Sequence, residues 1–300
     1  MSLKAYNFAH IDSHAELAVR KSWTMLKTIT NFLIKPAKSD IEKARAIYTW
    51  IAQTIRYDVP LFLSGARPAT QSVFKLADRT FLNKKAVCDG YAQLFKAMCD
   101  IAGLESRYVL GWSKGAIYVE GSPLTPEVDH AWNMIYLNNL WQPFDVTWGA
   151  GSIDIENNTF KKKYSDYWFC TNPAEFIYTH FPEDSQWQSL APLLTRDAFV
   201  ALQFVKTFTD FYKRRVEIIS STPRDALLEI GASYHFQFRI PGAENVFFSI
   251  NDQAELYSAL QKQGDIFEGT CRCPQGKLVL FAQFPGKDNR LFGLLEYAGK

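Results

Sequence analysis

The sequence predicts an α+β protein, with several helices and an antiparallel hairpin followed by an all-β, sandwich-like C-terminal domain. Three observations carry this. Apolar residues recur at helical spacing in several segments before Gly103, two strand-like runs flank Asn138-Asn139, and short β-rich runs bounded by Gly, Pro and Asn follow from about Arg214. At 300 residues the chain exceeds the size at which one core usually stops growing. Two domains are therefore expected, 1–200 and 201–300, with the boundary between about 195 and 213.

In the first part, Leu17, Trp23, Leu26 and Ile29 suggest one amphipathic helix over residues 12–30. Ser39 followed by Glu42 has the pattern of a capping box, and Ile41, Ala44, Tyr48, Ile51 and Ile55 continue a helix that should end near Arg56-Tyr57. Residues 58–70 read as irregular, and Ser72 to Ala77 as a short helix. Val87 to Gly103 carries the stripe Tyr91, Leu94, Phe95, Met98 and Ile101, with Gly103 as its stop. Arg107 to Trp112 predicts a strand, and His130–Leu137 and Leu140–Val146 a hairpin turning at Asn138-Asn139. Residues 199–212 fit either a helix or an aromatic strand. The later runs, Val216–Ile219, Tyr234–Ile240, Val246–Ile250, Lys277–Phe284 and Leu291–Tyr297, suggest a sandwich of about seven strands.

Composition narrows the function classes. Thirty-three basic and thirty-one acidic residues give a net charge of +2, which argues against a nucleic-acid surface. No apolar stretch is long enough for a membrane span, and the first thirty residues lack a signal-peptide core. The chain reads as soluble and cytoplasmic by default, while its Met1-Ser2-Leu3 opening leaves a secreted or periplasmic origin with a removed leader open. Five cysteines are an odd number without framework spacing, so at least one free thiol is expected.

The chemistry rests on Cys88, His130 and Asp145. A thiolate is favoured by the positive end of a helix and a nearby imidazolium, and Cys88 stands at the start of the Val87–Gly103 helix. Alone it would read as a small buried apolar residue, and His130 beside Trp132 as a structural histidine. The hairpin changes that balance. A two-residue turn at Asn138-Asn139 sets Leu137 opposite Leu140, Trp132 opposite Asp145 and His130 opposite Thr147. His130 and Asp145 then become diagonal neighbours on one face, within reach of a hydrogen bond. In those roles Asp145 orients the imidazole, His130 moves the thiol proton, and Cys88 attacks a carbonyl to form a thioester. The Cys88 amide is one oxyanion donor, and a second is sought upstream around Trp50 and Tyr57.

The blocks Ala86-Val87-Cys88-Asp89-Gly90-Tyr91-Ala92, Asp129-His130-Ala131-Trp132-Asn133 and Phe144-Asp145-Val146-Thr147-Trp148 resemble the transglutaminase-like superfamily. The spacing is 42 residues from Cys88 to His130 and 15 from His130 to Asp145. Upstream, Ile47-Tyr48-Thr49-Trp50 and Ile55-Arg56-Tyr57-Asp58 look like the entry to its nucleophile. Thr147 to Gly151 and Phe169 to Leu190, with His180-Phe181-Pro182, are similar to the kyphoscoliosis peptidase group. The resemblance covers about residues 35–192. It implies a papain/transglutaminase-like core of a helix packed on an antiparallel sheet, with Cys88 on the helix and His130 and Asp145 on the sheet. It also implies a thiol-dependent hydrolase of protein or peptide amide bonds. A protein-glutamine transglutaminase or deamidase, or a scaffold whose β domain binds a protein partner, are the alternatives.

The other signals have plainer readings. No cofactor is expected, and Cys271-Arg272-Cys273 lacks a second ligand pair, so no metal site is expected either. Cys99 would lie about 16 Å along the helix from Cys88, too far for a disulfide. Lys161-Lys162-Lys163 reads as a solvated turn, and His180 and His235 as structural. Trp112, Trp132, Trp141 and Trp148 read mainly as core, with Trp112 or Trp148 lining a substrate groove.

Overall fold

The computed structural model describes residues 6–65, 73–119, 122–205, 211, 214–219, 223, 225–253, 255–286 and 291–300. The chain divides into two compact units, Met1–Ala116 with Thr125–Leu193, and Ile117–Leu124 with Leu194–Lys300.

The first unit opens with α1 (Ala9–Val19), α2 (Leu26–Ile34) and α3 (Asp40–Thr54). The single helix expected over residues 12–30 is thus two. The chain leaves helical geometry between Arg20 and Met25, where the Trp23 indole N–H donates to the Ala18 carbonyl at 2.9 Å. Leu17 is exposed, so the apolar period did not describe one buried face. Both helices pack on α3, and Asp12 fastens α1 to it by accepting from the Arg45 guanidinium at 2.8 Å and the Thr49 hydroxyl at 2.9 Å. Ser39 is the N-cap of α3 without a side-chain bond, while Glu42 accepts from the Lys38 amide, so only a displaced half of the capping box forms.

After Ile55 turns extended, β1 (Arg56–Tyr57) runs parallel to β2 (Lys85–Ala86), with Tyr57 opposite Ala86. Between them lie α4 (Val59–Leu63), capped by Asp58, and α5 (Val73–Asn83). The latter is longer than the helix expected over Ser72–Ala77; Ser72 itself lies outside the described residues. The pairing of β1 with β2 delivers Tyr57 beside the start of α6 (Cys88–Ile101). Helix α6 buries Tyr91, Leu94, Phe95 and Met98 completely, each worth about 1.5–3 kcal/mol by apolar burial.

Against α6 stands an antiparallel sheet. Its strands are β3 (Ser106–Ser113), β4 (His130–Leu137) and β5 (Leu140–Phe144). Then come α7 (Val146–Ala150), the hairpin β6 (Gly151–Asp154) and β7 (Thr159–Lys162), α8 (Pro173–Phe176), β8 (His180–Pro182) and a 3-10 turn at Ser185–Gln188. The sheet order is β5-β4-β3-β8. Asn138 and Asn139 have φ of +50° and +64°, the positive values a tight two-residue hairpin turn demands, and Leu137 faces Leu140 as expected. The ladder stops at Asn133 opposite Phe144. The strand expected to run to Val146 is therefore shorter, because Asp145 becomes the N-cap of α7 and accepts from the Trp148 amide at 2.9 Å. Lys161 and Lys162 belong to β7 rather than a turn, and Lys161 pairs with Asp154 at 2.7 Å.

Close approach explains Gly149 in the Thr147–Gly151 motif. A Cβ there would lie 1.9 Å from the Tyr48 hydroxyl oxygen, and Tyr48 is fully buried and donates to the Ser165 carbonyl at 2.8 Å. Gly149→Ala is expected to lower stability by about 1–3 kcal/mol, the usual range for overpacking. Urea unfolding of the two proteins measures it.

The second unit contains α9 (Arg196–Ala201), β9 (Phe204–Val205), β10 (Glu217–Ile218), β11 (Leu227–Leu228), β12 (Ser233–Arg239) and β13 (Asn245–Ile250). It continues with β14 (Ser258–Ala259), β15 (Gln261–Gln263), β16 (Ile266–Arg272), β17 (Lys277–Gln283) and β18 (Leu291–Gly299). One sheet has the order β10-β12-β16-β15 and the other β11-β18-β17-β13-β14, with β9 also on β18. Phe236 on β12 meets Phe248 at 4.5 Å and Tyr297 at 5.3 Å, so aromatic rings fill the space between the sheets. The described residues hold more strands than the seven expected, because short pieces such as β14 and β15 carry too few residues to show alternation. The 199–212 stretch begins in α9 and passes into β9; residues 206–210, 212 and 213 lie outside the described residues.

Candidate active site

Three structural constraints place Cys88. It is the first residue of α6, whose N-cap, Val87, offers no capping side chain. The Asn133 amide of β4 donates to the Ala92 carbonyl at 3.0 Å, tying the first turn of α6 to the sheet. Tyr91 reaches back to the Ile55 carbonyl at 2.7 Å. Cys88 is partly exposed, and Cys99, Cys170, Cys271 and Cys273 are buried. Beside it, Asp89 accepts from Gln93 at 2.6 Å and from the Tyr108 hydroxyl at 2.7 Å.

His130 and Asp145 meet as expected, by a different route. Asp145 does not sit in the ladder opposite Trp132; it projects from the β5–α7 junction, and its carboxylate Oδ2 lies 2.7 Å from His130 Nε2. His130 Nδ1 is then the nitrogen left for Cys88, whose side chain helps to hold charge on the imidazole. Burial opposes charge on His130, but attraction and hydrogen bonding to Asp145, together with the nearby Cys88, outweigh it and raise the imidazole to about 10. Burial likewise opposes ionisation of Asp145, yet the His130 charge and the bonds from two histidines hold its carboxyl well below the usual carboxylate range. Held by the carboxylate, the imidazole can take a proton from sulfur, carry it as a stabilised imidazolium and later return it.

This charge leaves a signature in stability. Because folding raises His130 above its ordinary value of 6.5, its contribution is fully present below pH 6.5 and is lost as pH rises through about 10. The difference in urea midpoint between the wild type and His130→Gln is expected to shrink across that window; a constant difference would contradict the charged state.

The second histidine was missed in the sequence. His180, expected to lack a carboxylate partner, lies with Nε2 2.9 Å from the same Asp145 Oδ2 and Nδ1 2.8 Å from the Thr179 hydroxyl. It sits on β8 opposite Ser113, while His130 on β4 lies opposite Gly111. Gly111 is needed there, since a Cβ would come within 2.2 Å of the Phe181 carbonyl oxygen and 2.5 Å of the Trp132 ring. The only signal in the sequence was the similarity of His180-Phe181-Pro182 to the kyphoscoliosis peptidase group.

His130, Asp145 and His180 also form, among the described residues, a group whose ligand atoms lie within 4.8 Å of one another. Metal ligands turn lone pairs to a shared ion about 2.0–2.2 Å away. Here both Nε2 atoms address one oxygen at hydrogen-bond distance, so the cluster is built as a proton-holding network.

The two tryptophans differ. Trp112 is buried on Phe181, and its indole N–H is bonded to the carbonyls of Thr125 at 2.8 Å and Glu127 at 3.1 Å. The ring thus clamps that loop from inside. Trp148 is half-buried, 5.6 Å from the His130 ring and 4.5 Å from His180.

The chain is similar to known proteins. The sequence profile of the Transglutaminase-like superfamily matches residues 27–146. The chain is 35% identical over 228 residues to human Kyphoscoliosis peptidase, covering 76% of this chain and 33% of that protein. It is 29% identical over 238 residues to the Lim and transglutaminase domain protein ltd-1 of Caenorhabditis elegans, covering 71% of this chain and 30% of that protein. A solved structure of a TGase matches with a TM-score of 0.30 and 20% identity over 55% of this chain and 39% of that one. The chain spans about a third of the length of the curated relatives it matches. Among the described residues no helix is long and apolar enough to cross a membrane. The chain carries a domain of the transglutaminase-like superfamily and is similar to the kyphoscoliosis peptidases within it.

Proposed function

We propose that the first unit is a thiol-dependent hydrolase of protein or peptide amide bonds, acting through Cys88, His130 and Asp145 and a thioester intermediate. The observation that carries this is the imidazole bonded by Nε2 to a buried carboxylate at 2.7 Å beside a partly exposed thiol at a helix start. Cys88 Sγ gives its proton to His130 and attacks the amide carbonyl carbon, and the carbonyl electrons move to oxygen. The tetrahedral intermediate collapses, the C–N bond breaks, and His130 gives the leaving amine its proton. Water then attacks the thioester and gives a proton to His130, the C–S bond breaks, the proton returns to sulfur, and a carboxylic acid departs.

The developing oxyanion has two donors in this proposal. One is the Cys88 amide. The other is the Tyr57 hydroxyl beside it, which burial, followed by the nearby Cys88 and Asp145 charges, pushes well above its ordinary range, so it keeps its proton. Trp148, over His130, lines the substrate groove.

Incubating the protein with a peptide library, with and without a primary amine, tests the reaction. Cleaved peptides that require Cys88 support hydrolysis. Amine incorporated at glutamine would replace hydrolysis by acyl transfer from the same thioester, and neither product would favour a binding role.

A further inference from the structure

We propose that His180 is a positioning residue of the Cys88–His130–Asp145 relay, a second imidazole whose Nε2–H bond to Asp145 Oδ2 locks the carboxylate in the orientation that holds His130. The inference rests on the thiol-enzyme reading above. Three donors fix Asp145: the Trp148 amide at Oδ1, 2.9 Å, and both imidazoles at Oδ2, 2.7 Å and 2.9 Å. The carboxylate cannot turn about its terminal torsion without breaking all of them. His180 approaches from β8, and Asp145 from beyond β5, at the opposite edge of the sheet.

The surroundings of His180 suit a fixed donor. It is fully buried, stacked on Phe176 at 3.9 Å, with Trp148 at 4.5 Å, Trp132 at 5.2 Å and Trp168 at 5.5 Å. Burial among these rings, reinforced by the His130 charge, brings it down to about 4 despite its bonds to Asp145. With Nε2–H given to Asp145, Nδ1 lies 2.8 Å from the Thr179 hydroxyl, which itself donates to the Phe176 carbonyl at 3.2 Å and so fixes the orientation of the ring. One imidazole is therefore charged and the other neutral, and the charge stays on the ring that meets sulfur. The titratable groups around the carboxylate are His130 on β4 and His180 on β8. At longer range it is felt by Tyr48 on α3, Tyr57 on β1 and Tyr91 on α6.

The test follows the rate at which iodoacetamide labels Cys88 against pH, in the wild type, His130→Ala, His180→Phe, His180→Gln and Thr179→Val. Without its donor, Asp145 is held less firmly and supports the charge on His130 less, so proton transfer from sulfur needs a higher pH. The acid limb of the His180→Phe profile is therefore expected to move up by about one pH unit, the effect of one hydrogen bond to a charged group. Labelling near pH 8 should fall less than about threefold, since Asp145 is ionised there in every variant. Gln, which keeps an N–H donor, should return the limb most of the way. Thr179→Val leaves the ring in place and should move it in the same direction by less. A folded His180→Phe with an unmoved limb, or Phe and Gln shifted equally, would overturn the inference. If His180→Phe does not fold, an unmoved Thr179→Val limb overturns it instead. Labelling of His130→Ala at the wild-type rate would defeat the thiol-enzyme reading itself; slowed labelling there with an unmoved His180→Phe limb defeats only the role of His180.

Discussion

Replacing His130 by alanine is expected to slow alkylation of Cys88 by about 100-fold or more near pH 7, the range usual for loss of a positioned acid–base group. The imidazole is bonded to Asp145 and stands beside the thiol, and the variant leaves the sulfur without a proton acceptor and Asp145 with one imidazole instead of two. The other four cysteines are buried and should keep their rates, which makes them internal controls. A uniform change across all five would indicate unfolding rather than loss of the relay.

The second large effect is expected from Asp145→Asn. The carboxylate Oδ2 receives two imidazole N–H groups. An amide offers one oxygen to those donors and turns its NH2 group toward whatever occupies the other position. His130 or His180 must then flip, change tautomer or lose its bond, and the positive charge on His130 loses the anion that sustains it. Turnover of an activated reporter such as a p-nitrophenyl ester is expected to fall about 10³- to 10⁴-fold, as when a triad carboxylate is replaced elsewhere. A loss below about tenfold would mean that Asp145 does not orient His130.

The sequence made the centre of this site legible and its edges less so. Asn138-Asn139 fixed the hairpin register because both residues accept positive φ, and that register correctly brought His130 near Asp145. The meeting itself is made by an N-cap beyond the last ladder pair, a local event that strand alternation cannot foresee. His180 was out of reach because β8 has three residues, all buried, so no period of two is visible, and its partner lies 35 positions away. The break between α1 and α2 was hidden for a related reason: residues 20–25 contain neither glycine nor proline to mark it. Trp112 reads like any tryptophan on a strand, and only the loop carbonyls of Thr125 and Glu127 explain why its ring is turned inward. In the second unit β16 was missed because Gly269 interrupts its apolar pattern, although it pairs with β12 along its whole length.

Competitive labelling of all five thiols with a limiting electrophile, followed by peptide mapping, tests the central claim most directly. Burial pushes Cys170 up to about 12 and Cys271 up to about 11, and raises Cys99 and Cys273 as well, whereas Cys88 is partly exposed beside His130. Cys88 should be labelled first and nearly alone in the native protein. Equal labelling of all five, or another cysteine reacting ahead of Cys88, would contradict a nucleophile at this position.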